Sequence, residues 1–438
     1  MGTLDEVKGL IENPPKEYRS APFWGWNDRL QKENLGEQIE GFKKAGMGGF
    51  FIHSREGLET EYLSTEWMED VKFCVDKARE NDLELWIYDE DKWPSGAAGG
   101  MVSRENPAEF TARALTMECG KAGELAIPTK RSTEEERIVT GNSDSLMCGE
   151  NRSADKNSMS GRNAVEGLAM EETMETEFLQ GVYVIQTAAD GRFIKRMKEY
   201  LTYEEAAGAC GVDEEILLLR QEISGKSEWY NGLMPPDNLN PESVKTFLKL
   251  THEHYEEVFG GSFPKEVKGF FTDEPNCCDF FSVFHEGRPW IPWSIGFTEY
   301  FIEKRGYDPQ EKLPYLFFDG EGAEKIRHDY WKTVAQRFEE SYMKQVYEWC
   351  DKRGLRTTGH ILYENDLGYQ TRVCGAAMPQ LRYLHNPGID LLGAQTDEYL
   401  TVKQCASVAH QYDRSMTISE AYGWTGWGLG FSPQKWLG

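Results

Sequence analysis

Seven short apolar segments of this chain each run straight into side chains that can bind, donate or accept a proton. APFWGWND ends in Trp24, Trp26, Asn27 and Asp28, and GGFFIHSR in His53, Ser54 and Arg55. LWIYDEDKWPSGAAGG carries Asp89, Glu90, Asp91 and Trp93; FFTDEPN carries Asp273 and Glu274; GHILYEND carries His360 and Glu364. IDLLGAQ supplies Gln395, and SEAYGW supplies Glu420, Tyr422 and Trp424. Carboxylates beside indole and phenol rings are the groups a sugar site needs. Cleaving a glycosidic bond takes one protonated acid at the leaving oxygen and a second carboxylate, acting as nucleophile or as base for water. Aromatic rings offer broad amphipathic faces to the C–H face of a pyranose.

Each of these residues also has a plainer reading. Asp89 to Asp91 could form a solvated loop that caps the following turn, Glu90 above all. Trp24 and Trp26 alternate on one strand and so share a face, which could be core as readily as a sugar wall. His53 and His360 could be hydrogen-bonded core histidines. His252 and His254 lie two apart on a helix and point different ways, a poor basis for a metal site. Glu274 and Glu420 differ from these, because a glutamate directly after an apolar strand is hard to explain by packing.

The elements that must position these groups alternate along the chain. Strands read at Ala21 to Trp26, Gly48 to Ile52, Leu83 to Tyr88, Val267 to Phe271, Arg356 to Leu362, Ile389 to Ala394 and Met416 to Ser419, separated by amphipathic helices. After the first strand, Leu35, Ile39 and Phe42 fall at helical spacing before Gly46, and the next helix opens at a Ser64 cap and buries Trp67, Val71, Cys74, Val75 and Ala78. This βα alternation predicts an α/β fold, a (β/α)8 TIM-type barrel with its catalytic groups at the carboxyl ends of the strands. The barrel is expected to begin in residues 1–100 and to continue through residues 241–438. It breaks off before strand 8, which points to an incomplete barrel and a piece of a longer reading frame. Between them, residues 101–240 read as a mainly β insertion after strand 3, with a hairpin in GVYVIQTAADGRFIKR turning at Asp190-Gly191. Within the insertion, an acidic Ser-, Asn- and Gly-rich stretch near 130–177 reads as a mobile loop without chemistry.

Composition narrows the function classes. The 438 residues, 39% of them hydrophobic, are enough for a large core. Forty-eight basic against 74 acidic residues give a net charge of -26, which repels phosphate backbones and anionic membrane surfaces. Nucleic acid and membrane are therefore not expected as partners. Nine scattered cysteines without a CxxC pair fit neither a disulfide framework nor a zinc ribbon, and read as reduced thiols. The N-terminal MGTLDEVKGLIENPP has neither the charged start nor the apolar core of a signal peptide, so a cytoplasmic location is expected.

PFWGWNDRL, GMGGFFIHSREGLETEY, WIYDEDKWPSGAAGG, FFTDEP and SEAYGW, taken in this order, resemble family 106 of the glycoside hydrolases, the α-L-rhamnosidases. The resemblance covers the barrel strands and not the insertion. It implies a barrel enzyme that inverts the anomeric centre with two glutamates and holds a calcium ion near the sugar hydroxyls. By motif, Glu274 would be the general acid and Glu420 the base that activates water. Asp89, Asp91, Asp273 and Glu364 are calcium-ligand candidates by position. Trp24, Trp26, His53, Asp89, Trp93, His360, Gln395, Tyr422 and Trp424 would bind the carbohydrate substrate. A retaining mechanism with a nucleophilic second glutamate, and a non-catalytic sugar-binding barrel, stand as alternatives. A metal-dependent amidohydrolase is disfavoured, since it predicts a His-x-His pair on the first strand and APFWGWND has none.

Overall fold

The computed structural model describes residues 4–125, 177–277, 287–391 and 399–421. The stretch near 130–177 falls almost wholly outside them, as do Gln395, Tyr422 and Trp424. In chain order the strands are β1 (Phe23–Trp26), β2 (Gly49–Ser54), β3 (Glu84–Tyr88), β4 (Arg113–Gly120), β5 (Glu177–Thr187), β6 (Ile194–Tyr200), β7 (Glu215–Ile223), β8 (Val267–Asp273), β9 (Trp290–Trp293), β10 (Arg356–His360), β11 (Asn386–Leu391) and β12 (Ile418–Ala421).

The seven strands expected for a barrel form one sheet in the order β1-β2-β3-β8-β10-β11-β12, every neighbouring pair parallel. The sheet is curled. Phe23 on β1 and Phe271 on β8 are three strands apart, a span of about 14 Å in a flat sheet, yet their rings meet edge-on at 4.7 Å. Among the described residues no strand joins β12 back to β1, and the described sheet is a curled half-barrel.

Alternation along each strand sorts side chains between two buried faces. Phe23, Phe51, Trp86, Tyr88 and Phe271 pack together on the inner face. Trp24, Trp26, Phe50, Ile52 and Phe270 face the helices instead. Trp24 meets Phe42 and Phe50, and its Nε1 donates to Gln38 Oε1 at 2.7 Å, while Trp26 packs edge-on to Trp67 at 5.0 Å. The placement of Trp24 and Trp26 in the sugar pocket is therefore corrected: both belong to the core between the sheet and the helices Lys32–Lys44 and Thr65–Asn81. Of those two helices, the second begins as expected, with Ser64 Oγ accepting from Trp67 N at 3.2 Å, and it ends on Asp82 in the left-handed region. His252 stacks on Phe270 at 4.0 Å inside the helix layer, a core histidine whose pKa burial lowers to about 3.

The insertion is an antiparallel sheet in the order β6-β5-β7-β4-β9. The β5–β6 hairpin turns through Asp190 and Gly191, with Asp190 Oδ1 accepting from Arg192 N at 2.9 Å and Gly191 at φ 67°. Leu115, Tyr183, Ile185, Leu217 and Leu219 press one face into the main core, and the helix Tyr203–Ala209 covers Val182, Val184, Ile216 and Leu218 on the other. One edge strand comes from elsewhere in the chain: β9, between β8 and the helix Phe297–Arg305, pairs with β4. This links the insertion to the segment just beyond Asp273.

Candidate active site

Strand β8 builds the centre of the site by alternation. Phe270 and Thr272 face the helices, where Thr272 Oγ1 and Tyr342 Oη share a 2.9 Å hydrogen bond, and Phe271 and Asp273 face inward. In the next strand His360 sits in register with Asp273. Its Nε2 lies 3.0 Å from Glu420 Oε2 on β12 and 3.4 Å from Asp273 Oδ1, and its Nδ1 is 3.9 Å from Glu274 Oε1. One buried imidazole thus stands between the two glutamates singled out from the sequence, with a different ring nitrogen toward each. Tyr88 Oη donates to Asp273 Oδ2 at 2.6 Å and completes the carboxylate's partners from below.

The electrostatics follow from burial and crowding. Burial alone would lower the His360 pKa, but Glu420, Asp273 and Glu364 hold it well above the usual value, so the ring is an imidazolium at neutral pH. Burial, reinforced by the charge of Asp273, pushes Glu274 up to about 8 despite His360. Glu274 is therefore a proton carrier at neutral pH, the state required of a general acid. Burial also raises Asp273 and pushes Glu364 up to about 7. Glu364 does not point at the glutamate pair. Its Oε2 accepts from Asp390 N at 2.9 Å and its Oε1 from Ile361 N at 3.4 Å, which fastens β11 to the loop after β10.

The Asp89 to Gly100 stretch has three acids with three different jobs. Glu90 is buried and accepts backbone N–H bonds from Asp91, Gly96, Ala97, Ala98 and Gly99 at 2.6–3.1 Å. The solvated-loop reading fails for it, because the carboxylate is the hub around which Gly96 to Gly100 fold. Asp89 follows inward-facing Tyr88 and so points outward, accepting from Ser95 Oγ at 2.6 Å; burial holds its pKa well above the usual range. Its expected contact with sugar is corrected on this geometry. Asp91 accepts from Ser54 Oγ at 2.8 Å and from Asn231 Nδ2 at 2.9 Å. Ser95 carries the loop's order into the site, since Asp273 N donates to its Oγ at 2.8 Å and its own N donates to Asp273 O at 2.8 Å.

Other predicted residues divide. His53 faces inward, stacked on Tyr88 at 3.7 Å, with Nε2 buried and unpartnered among the described residues; burial and Arg55 lower its pKa to about 3. Trp93 lies on the rim and meets Trp229 of the insertion edge-on at 5.8 Å, with Trp229 Nε1 donating to Trp93 O at 2.6 Å. Tyr88, Ser95 and Trp229 were not singled out from the sequence. Tyr88 was legible as an inward position two residues after Trp86, whereas Trp229 gave no signal, being 136 residues from its partner.

The four carboxylates expected to hold calcium do not converge. Asp89 and Asp91 are engaged as described, and both oxygens of Asp273 have partners in Tyr88 and His360. Among the described residues the ligand-type side chains that approach one another within 4.8 Å are Asp273, Glu274 and His360. Two carboxylates and an imidazole nitrogen make that trio a poor fit to a hard cation that takes six to eight oxygens.

No family model matches the chain. Over 374 residues it is 21% identical to a Formosa agariphila protein named "Putative beta-glucuronidase", covering 81% of this chain and 30% of that protein. Its fold resembles the structure of a rhamnosidase from Novosphingobium sp. PP1Y, with a TM-score of 0.60 and 15% identity over 99% of this chain and 54% of that one. The chain thus spans less than two thirds of either relative. No described helix is long and apolar enough to cross a membrane.

Proposed function

We propose that this chain carries the catalytic centre of a glycoside hydrolase that releases a terminal neutral sugar, with α-L-rhamnose the first to test. The observation that carries the reading is Glu274 and Glu420 on opposite nitrogens of buried His360, at the carboxyl ends of β8 and β12. Glu274 donates its proton to the leaving oxygen, and Glu420, accepting from His360, draws a proton from the attacking water. An imidazole between two carboxylates keeps them apart, which favours the wider spacing of inverting enzymes, roughly 6.5–9.5 Å, over the 5–5.5 Å of retaining ones. The names of the two similar proteins differ in the sugar they imply. Asp273, Glu364 and Glu420 around the one imidazolium outnumber its charge and disfavour a uronate, which supports the neutral sugar.

The test is release of the aryl group from a panel of aryl glycosides, α-L-rhamnoside and β-D-glucuronide included, by the wild type and by Glu274→Gln and Glu420→Gln. Turnover of the rhamnoside, lost in both variants, supports the reading; undiminished turnover in either variant refutes its role. The anomer released, read by NMR before mutarotation, decides between inversion and retention.

A further inference from the structure

The backbone of Glu274 is left-handed, at φ 46°, and Pro275 follows it. A bulky residue in this region is strained, and a following proline ring restricts it further, so the conformation persists only where its surroundings impose it. Those surroundings can be named on both sides. The carbonyl of Asp273 and the amide of Glu274 form one planar unit, so fixing that carbonyl fixes the plane from which the acid departs. Ser95 fixes it: its N donates to Asp273 O at 2.8 Å, and its Oγ accepts from Asp273 N at 2.8 Å. The Ser95 hydroxyl gives its one proton to Asp89 Oδ1 at 2.6 Å, which leaves a lone pair for Asp273 N. On the far side, Asn276 Nδ2 donates to Glu274 O at 3.3 Å.

One side chain ties these two halves together. Asn238, in the segment between β7 and the helix Pro241–Leu248, directs its Nδ2 at Ser95 O, 3.3 Å away, and at Asn276 O, 3.1 Å away. Two carbonyl partners identify that atom as the nitrogen, since an amide oxygen there would face two acceptors. Asn238 is buried, and its own place is fixed from the helix layer. Its carbonyl accepts from Ser341 Oγ at 2.6 Å, and the next carbonyl, that of Leu239, accepts from Arg337 Nε at 2.8 Å. The loop after β3 leaves room for it: Gly96 lies at φ 126°, and a Cβ there would meet Asn238 Nδ2 at 2.8 Å. Hydrogen bonds thus hold the carbonyl before Glu274 and the carbonyl of Glu274 itself, and the two residues that supply them share one buried amide.

We propose that Asn238 and Ser95 are positioning residues for Glu274: by holding the peptide units on either side of the acid, they aim its carboxyl at the leaving oxygen. The inference rests on the hydrolase reading above and concerns how the acid is held. A general acid works within hydrogen-bond reach of the atom it protonates, and a displacement of about 1 Å costs on the order of 10²-fold. That cost falls on substrates that need the proton. Asn238→Asp keeps the shape of the side chain but sets an acceptor against two carbonyls, and Ser95→Ala strips Asp273 N of its acceptor. The substrates are glycosides of the sugar selected by the aryl-glycoside panel. In each variant kcat/KM for the phenyl glycoside should fall roughly tenfold relative to the dinitrophenyl glycoside, whose leaving group needs no proton. A purely structural role lowers both substrates together and leaves the ratio as it was. Melting curves establish that a variant is folded at the assay temperature, and Ser95→Ala, which removes a single oxygen, decides the matter where Asn238→Asp does not fold. An unchanged ratio in the folded variants overturns the positioning role and leaves the hydrolase standing. No turnover of any panel glycoside by the wild type overturns both.

Discussion

His360 Nε2 lies 3.0 Å from Glu420 Oε2, a contact that ties the end of β10 to β12 across the width of β11. The imidazole is charged in the folded protein because carboxylates surround it, and its folded pKa stands well above 6.5. Its contribution to stability is therefore complete below pH 6.5 and is lost as pH rises through the folded value. Glu274 acts in the same direction, because it binds a proton up to about pH 8 when folded and only to about 4.5 when unfolded. The melting temperature should fall as pH rises above 6.5, and more shallowly in His360→Gln. A melting temperature that rises over that interval would contradict the charged imidazole.

The same proton on Glu274 sets the alkaline limit of activity. Since the acid must be protonated to act, kcat/KM should decline through a single ionisation near 8. Glu274→Gln should lose on the order of 10²–10⁴-fold on substrates with poor leaving groups and far less on those, such as dinitrophenyl glycosides, that leave without a proton. Equal losses on both kinds of substrate would remove Glu274 from the acid's role.

Much of this arrangement was legible in the chain and some was not, for reasons of geometry. The seven parallel strands could be read because each is a short apolar run between amphipathic helices, and Ser64 announced its helix by the oxygen it offers Trp67 N. The side of the sheet each residue faces could not. A parallel sheet is buried on both faces, so its strands are apolar on both, and nothing in APFWGW distinguishes the helix side of Trp24 and Trp26 from the inner side of Phe23. The same ambiguity put Asp89 in the pocket, although Tyr88, one residue earlier, is the one that faces Asp273. The pairing of β4 with β9 was hidden because it joins segments on either side of β8, and sequence periodicity reports only local structure.

Tyr88→Phe isolates one bond in the floor of the site. The ring and its stack on His53 remain, while Asp273 Oδ2 loses the donor at 2.6 Å. A buried acceptor left without a partner costs about 1–3 kcal/mol. Urea unfolding should show a lower midpoint with an unchanged slope, and kcat should fall more than KM changes, because Asp273 helps to set the charge on both His360 and Glu274. A midpoint equal to the wild type would mean that water or another group replaces the tyrosine.

Glu90→Gln addresses the loop that carries Trp93. An amide can turn only one oxygen toward the five N–H groups of Asp91, Gly96, Ala97, Ala98 and Gly99, and its own N–H groups then face donors. Gly96, Ala98, Gly99 and Gly100 all have positive φ, so the loop has little conformational preference of its own to fall back on once the carboxylate is gone. The expected loss is about 1–3 kcal/mol, the cost of leaving buried N–H donors without their acceptor. It should reach the site as well. Ser95 exchanges two hydrogen bonds with Asp273, and Asn231 holds both Asp91 and the Gly99 carbonyl, so a loosened loop frees the segment next to the acid and the rim where Trp93 meets Trp229. Tryptophan fluorescence should report a more exposed indole well below the main melting transition, with kcat/KM falling in the same interval. A variant that melts in one step at the wild-type temperature would show that the loop is held by something other than Glu90.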